Sequence, residues 1–134
     1  MIEFGDARGH PFLPDVISES IGGITHANIE QVLEMYDQPN HVLIGAFDHQ
    51  HLIGVIGLGL ENSITIKHIS VIKERRMQGI GGRLVRYAIK QFPGKSIIAE
   101  TDDEAVEFYK SLGFACEAFE GKYNIRYKCV LKFA

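Results

Sequence analysis

Ten residues, Arg75 to Leu84 (RRMQGIGGRL), hold three glycines and three arginines and no acid. A run dense in β-branched residues precedes them, SITIKHISVI, and an amphipathic stretch follows, RLVRYAIKQF. Such a strand-to-helix junction can do anion chemistry. The first amides of a helix have no acceptor inside it, and the aligned peptide dipoles add partial positive charge at that end. Glycines allow the tight turn and remove the Cβ that would keep a ligand off the backbone. A phosphate or pyrophosphate is the usual guest. Lys73, Arg75, Arg76, Arg83 and Arg86 cluster around the loop and add charge at its margin. A turn that binds nothing is the competing reading. Spacing removes two familiar phosphate loops. The Gly81-Gly82-Arg83 end lacks the Lys-Ser/Thr of a Walker loop. A dinucleotide fingerprint begun at Gly79 would close on Leu84, where a small residue is needed, and no early βαβ unit surrounds it.

The elements that must hold this loop are legible in outline. MIEFGD reads as a first strand and LPDVISESI as a short helix. Gly22-Gly23 interrupts, Thr25 has the character of an N-cap, and Ile29, Val32, Leu33 and Tyr36 then recur at helical spacing. HVLIGAFD and LIGVIGLGLE form a hairpin across DHQH. Gly54, Gly57 and Gly59 fit poorly in a regular strand, which predicts bulges or close approach by another group. SITIKHISVI is the next strand. Strict alternation puts Ile64, Ile66, His68 and Ser70 on one face, and Thr65, Lys67, Ile69 and Val71 on the other. A helix over about Gly81–Gln91 ends at Pro93-Gly94. KSIIAE is a strand, DEAVEFYKSLG a helix with acids in its first turn and Gly113 at its C-cap, and FACEAFE and IRYKCVLKFA a final pair across GKYN. The sum is a mixed α+β fold, expected as a single domain over residues 1–134.

Two motifs occur in a telling order. Arg76-x-x-Gly79-x-Gly81, after a strand and before an amphipathic helix, resembles the acyl-CoA loop of the GNAT acyltransferase superfamily. About thirty residues on, AVEFYKSLGF (Ala105–Phe114) is similar to that family's second common segment. The likeness is sharpest over about residues 42–114. It implies a central, mostly antiparallel sheet of six to seven strands, splayed near its centre, with helices on both faces. It implies acetyl-CoA as acyl donor and an amine of a small molecule or peptide as acceptor, joined by direct attack in a ternary complex. The backbone amides of Met77, Gly79, Ile80, Gly81 and Gly82, with Arg76 beside them, would cradle the pyrophosphate. Main-chain groups of Ile69 and Val71 would pair with the pantetheine arm like an added strand. Tyr109 matches the family's general acid, its phenol near the sulfur.

The base is less clear. Thr65 stands where some members carry a glutamate. Glu61, near the end of the third strand, could act through water. His68 has a suitable free pKa of about 6.5, although its expected place among isoleucines also fits a satisfied buried histidine. Asp102 stands where relatives place an asparagine that touches the cofactor arm, and a carboxylate cannot donate as an amide does. A non-catalytic acyl-CoA-binding module and a plain phosphate binder are the alternatives. Relatives are often dimers, so a homodimer is compatible with the resemblance.

Composition sets the outer limits. The 134 residues carry a net charge of −3, which argues against a broad nucleic-acid surface. No apolar run approaches a membrane span of about 20 residues, and the N-terminus lacks a secretory h-region, so a cytoplasmic protein is expected. His49 and His51 share a turn without a third ligand, and no metal site is expected. Cys116 and Cys129 have no ligand spacing and are expected as buried, reduced thiols.

Overall fold

The computed structural model describes residues 1–21 and 26–132. The chain runs β1 (Ile2–Asp6), α1 (Leu13–Ile21), α2 (His26–Met35), β2 (His41–Asp48), β3 (His51–Leu60), β4 (Ile64–Val71), a 3-10 turn over Lys73–Arg75, α3 (Ile80–Gln91), β5 (Ile97–Thr101), α4 (Val106–Ser111), β6 (Ala115–Glu120) and β7 (Ile125–Leu131). This is the order expected from the sequence. The Gly22-Gly23 break and the Thr25 cap lie outside the described residues.

One seven-stranded sheet has the order β1-β2-β3-β4-β5-β7-β6. Every neighbouring pair is antiparallel except β4 and β5, which run parallel. That parallel pair joins only at Ile64↔Ile97 and Thr65↔Ile98. Beyond Thr65 the strands part, although β4 continues to Val71 and β5 to Thr101. The expected splay is therefore present, at the centre of the sheet.

Each face of the sheet carries its own core. On one, Ile80, Leu84, Val85 and Ala88 of α3, with Val106 and Tyr109 of α4, pack against Ile56, Leu58, Ile64 and Ile97. On the other, Leu13, Val16 and Ile17 of α1, with Tyr36 just past α2, pack against Leu43 and Val55. Full burial of one such aliphatic side chain is worth about 1.5–3 kcal/mol. No helix among the described residues is long and apolar enough to cross a membrane.

The glycines of β3 answer the question their positions raised. A Cβ on Gly57 would overlap the Tyr36 ring and hydroxyl, and one on Gly59 would come within 2.6 Å of Lys67 Cε. At Gly54 the added atom would lie 3.0 Å from the Ser70 carbonyl and 3.3 Å from Leu84. These glycines leave room for specific neighbours.

Two expectations are corrected. The β3/β4 register passes from Leu58↔Ile66 to Gly57↔His68, so Lys67 is an extra, bulged residue. The bulge reverses the facing of all that follows. Ser70 hydroxyl donates to the Val16 carbonyl of α1 at 2.7 Å, and His68 meets Tyr36. Both thus lie on the α1/α2 face, while Ile69 and Val71 join Ile64 and Ile66 in the core beneath α3. His68 does not share a face with the isoleucines. The cysteines also differ from expectation: Cys116 and Cys129 stand directly opposite each other on β6 and β7 and are joined in a disulfide. Antiparallel register brings together what a sequence separation of 13 residues concealed.

Candidate active site

The glycine loop is shaped by two left-handed residues. Met77 has φ 63° and is fully exposed, and Gly79, at φ 77°, caps α3 with open space where a Cβ would stand. The first bond within the helix runs from the Arg83 amide to the Gly79 carbonyl at 3.1 Å. The amides of Ile80, Gly81 and Gly82 therefore point out of the N-terminus with no acceptor inside the helix. Free helix-start amides of this kind can meet an anion.

Gly81 and Gly82 have a different reason to be glycine. A Cβ on Gly81 would lie 3.2 Å from the Phe108 ring, and one on Gly82 3.2 Å from Leu112. Both contacts are with α4 and the residue that ends it. The two glycines let α3 settle against the segment that carries Tyr109, and so tie the loop to the phenol.

The cations at the loop are largely engaged. Arg75 pairs with Asp48 at 2.9 Å, and Arg83 lies over the Phe4 ring at 5.4 Å. Arg76 donates through Nε to the Val71 carbonyl at 3.0 Å and pairs with Glu19 of α1 at 2.8 Å. Arg76 thus straps the loop to β4 and α1. The amides, more than the guanidinium groups, remain to meet an anion.

Main-chain direction along β4 can be read from its end. The Ile72 amide turns to the Ile53 carbonyl on β3, so by alternation Ile69 and Val71 turn their amides and carbonyls toward the opening beside β5. The Val71 carbonyl already accepts from Arg76.

A cavity of about 360 Å³ occupies that opening. His68 of β4, Glu100 of β5, Asp102 and Tyr109 are among its walls. A second cleft, of about 580 Å³, lies toward α2, where Met35, Thr65, Ile98 and Lys128 line it. The two share Ile66, Lys67, His68 and Glu100. The residues that bound the gap between β4 and β5 thus face both spaces. Another cavity, of about 230 Å³ beside Asp6, Tyr87 and Phe92, contains none of the candidate residues.

Tyr109 is 5% exposed, set edge-on between Phe108 and Phe114. Its segment ends as the sequence suggested: Gly113, at φ 96°, and Phe114 return their amides to the carbonyls of Lys110 and Tyr109. No buried side-chain polar atom among the described residues lacks a partner, and Tyr109 makes none of their hydrogen bonds, so its hydroxyl opens on the cavity. Burial pushes its pKa up to about 12, which keeps the phenol protonated.

His68 is half-buried, and its Nδ1 is hydrogen bonded to the hydroxyl of Tyr36, a residue with no exposed surface. Burial, and then the Lys67 charge, hold the imidazole below the ordinary histidine range. Burial raises the Tyr36 phenol well above its usual value. Asp102 uses one carboxylate oxygen to accept the amides of Glu104 and Ala105, at 3.1 and 3.0 Å, and so caps the turn into α4. Glu61 sits in the β3–β4 turn, at the end where β4 and β5 are still paired. Its carbonyl accepts from Lys95, and it lines neither cavity. The structure brings His68, Asp102 and Tyr109 together and leaves Glu61 apart.

The profile of the acetyltransferase (GNAT) domain matches residues 14–124, well over half of the chain. The chain belongs to the GNAT acetyltransferase family. Solved GNAT structures superpose on it along nearly their whole length. The ribosomal-protein-S18-alanine N-acetyltransferase of Escherichia coli has a TM-score of 0.84 at 14% identity, over 100% of this chain and 95% of that one. The aminoglycoside 6'-N-acetyltransferase of Enterococcus faecium has 0.78 at 20%, over 98% and 96%. A GNAT family acetyltransferase of Elizabethkingia anophelis, solved with acetyl-CoA bound, has 0.72 at 19%, over 99% and 97%. Likeness at these identities establishes the fold. No curated protein sequence matches the chain.

Within this GNAT domain, sequence reasoning missed Tyr36, Lys67 and Glu100 as parts of the site. Tyr36 carries the stripe spacing of a core residue, and only Gly57, on a strand it does not touch in sequence, hints that something large must fit there. The facing of Lys67 and His68 depends on a bulge that alternation cannot show.

Proposed function

We propose that this protein transfers an acetyl group from acetyl-CoA to a primary amine by direct attack in a ternary complex, with His68 as general base and Tyr109 as general acid. The observation that carries this reading is that His68 and Tyr109 line one cavity, at the place where β4 and β5 part.

The amides of Ile80, Gly81 and Gly82 hold the cofactor's pyrophosphate. Its pantetheine arm enters the gap and takes the main-chain groups of Ile69 and Val71 as a strand partner would. The thioester then lies near Tyr109, and the amine approaches through the cleft under α2. An amine attacks only with a free lone pair. His68, kept neutral near pH 7 by burial, takes the proton from the attacking nitrogen. The new C–N bond forms, the C–S bond breaks, and the Tyr109 hydroxyl gives its proton to the departing sulfur. A phenol with a pKa near 12 holds its proton at every physiological pH, so its hydroxyl is in place to hydrogen bond the departing sulfur, and the proton taken up by His68 restores the phenol through solvent after transfer. The cysteines are joined to each other and neither lines the gap, which favours direct attack over an acyl-enzyme. Glu100 and Lys67, on the shared boundary, meet the acceptor first.

The test is release of free CoA thiol from acetyl-CoA with a panel of small amines and peptide N-termini. Turnover with an amine, lost in both His68→Gln and Tyr109→Phe while acetyl-CoA still binds, is expected. Full turnover in His68→Gln would remove His68 as the base.

A further inference from the structure

A histidine can act as a base toward a substrate only through a nitrogen that carries no proton. In the neutral ring one nitrogen is a donor and the other an acceptor, and the partner of one decides the state of the other. Three features of this fold set the partner on which that choice depends for His68. The Lys67 bulge turns the ring onto the α2 face. Tyr36, fully buried at the end of α2, presents its hydroxyl to Nδ1 and its ring edge to the imidazole, with centroids 5.6 Å apart. Gly57, opposite His68 in the β3/β4 ladder, leaves the space in which that hydroxyl sits, since a Cβ there would overlap it.

We propose that Tyr36 is a positioning residue for His68: its hydroxyl oxygen accepts the Nδ1 proton, so that Nε2 faces the gap between β4 and β5 with its lone pair free. The inference rests on the base role given to His68 above and adds how the fold prepares that base. Gly57 belongs to the same device, because any larger residue would push the phenol off the ring. The charged groups that share a cavity wall with His68 are Lys67 on its own strand, Glu100 of β5, Arg126 and Lys128 of β7 and Asp102 before α4, with the Tyr109 phenol across the first cavity. His41 of β2 also lies beside the Tyr36 ring, 6.1 Å between centroids and nearly perpendicular to it. Tyr36 alone among the described residues is hydrogen bonded to the imidazole. Burial keeps Tyr36 a neutral phenol, able to accept without becoming a charge.

The experiment is nitrogen-15 NMR of imidazole-labelled protein at pH 8, where His68 is neutral. Its signals are found among the six histidines by their loss in His68→Gln. The expected result is an Nδ1–H, bare-Nε2 tautomer in the wild type, giving way to a mixture or to Nε2–H in Tyr36→Phe. Tyr36→Phe should also lower kcat about tenfold or more, with the acceptor KM little changed. An Nε2–H tautomer in the wild type, or the same tautomer in Tyr36→Phe, would overturn the proposal. The wild-type spectrum decides the first of these even if the variant does not fold. Because the spectrum needs no turnover, a failed base role for His68 and a failed positioning role for Tyr36 give different results.

Discussion

The two sides of the gap between β4 and β5 are built on different principles. The side under α3 and α4 presents backbone: helix-start amides, a left-handed Gly79, and the β4 groups that the splay takes off β5. Its glycines at 81 and 82 fix one helix against another. The side under α1 and α2 works through side chains: Tyr36 on His68, Lys67 thrown out by a bulge, Glu100 left exposed on β5. Backbone sites tolerate change in most side chains and need particular glycines. Side-chain sites need particular residues but can be rebuilt for another ligand. A donor shared by every reaction suits the first design, and an acceptor that differs from enzyme to enzyme suits the second.

The sharpest way to break this division is to change one side chain on each side of the reaction. Tyr109→Phe, which removes the acid we propose for the donor side, should lower kcat by about 10²- to 10⁴-fold, the range for a lost acid or base. Affinity for acetyl-CoA should hold, because the α3 amides are the groups proposed to hold the cofactor. A steady-state titration separates kcat from KM, and loss mainly in cofactor affinity would recast Tyr109 as a packing residue. His68→Gln should cost turnover toward the lower end of that range and leave cofactor binding untouched, as read by calorimetry.

What was legible in the sequence follows the same line. The loop, the Ala105–Phe114 segment and the order of elements could be read because backbone devices need glycines at fixed spacing, and Gly79, Gly81 and Gly113 stand where they must. The acceptor side could not. Period-two alternation assigned His68 to the face of the isoleucines, and one inserted residue, Lys67, reversed it. Tyr36 has the spacing of a core residue and is one, so nothing in its pattern marks its hydroxyl. The Cys116–Cys129 pair was equally hidden, since hairpin register, not spacing, sets who faces whom.

Two glycine substitutions sharpen the contrast in stability. Gly57→Ala puts a Cβ into the Tyr36 hydroxyl, and overpacking of this kind costs about 1–3 kcal/mol. Gly79→Ala meets no neighbour but must hold φ near 77°, which costs about 1–2 kcal/mol. Urea denaturation gives both values. Only Gly57→Ala should also disturb His68, and only Gly79→Ala should weaken cofactor binding. A converse result would show that the two glycines have exchanged roles.

Acidification probes the same histidine with a smaller effect. The folded state holds the His68 pKa below its unfolded value of about 6.5. Between those two values the unfolded chain binds more protons, so stability rises with pH there. The contribution is complete above about pH 6.5 and is lost as pH falls through the folded pKa. Thermal midpoints from pH 8 to pH 5 should therefore fall less steeply in His68→Gln than in the wild type. Parallel curves would mean that His68 is solvated as freely as in the unfolded chain.

The smallest effect tests whether Arg76 belongs to the donor side at all. Glu19 and Arg76 are both partly exposed, and an ion pair of that kind contributes about 0–1 kcal/mol. Glu19→Gln should lower the unfolding free energy read from urea denaturation by no more than that. The variant frees one end of the guanidinium while Nε stays on the Val71 carbonyl. If Arg76 is a strap between loop, strand and α1, acetyl-CoA affinity should stay the same, because the amides of α3 hold the anion without it. If Arg76 is held back from the pyrophosphate by Glu19, affinity should rise, and more so at low salt, where charge is least screened. A strap is what the geometry supports: one hydrogen bond to β4 and one ion pair to α1 already engage the Arg76 guanidinium from two sides.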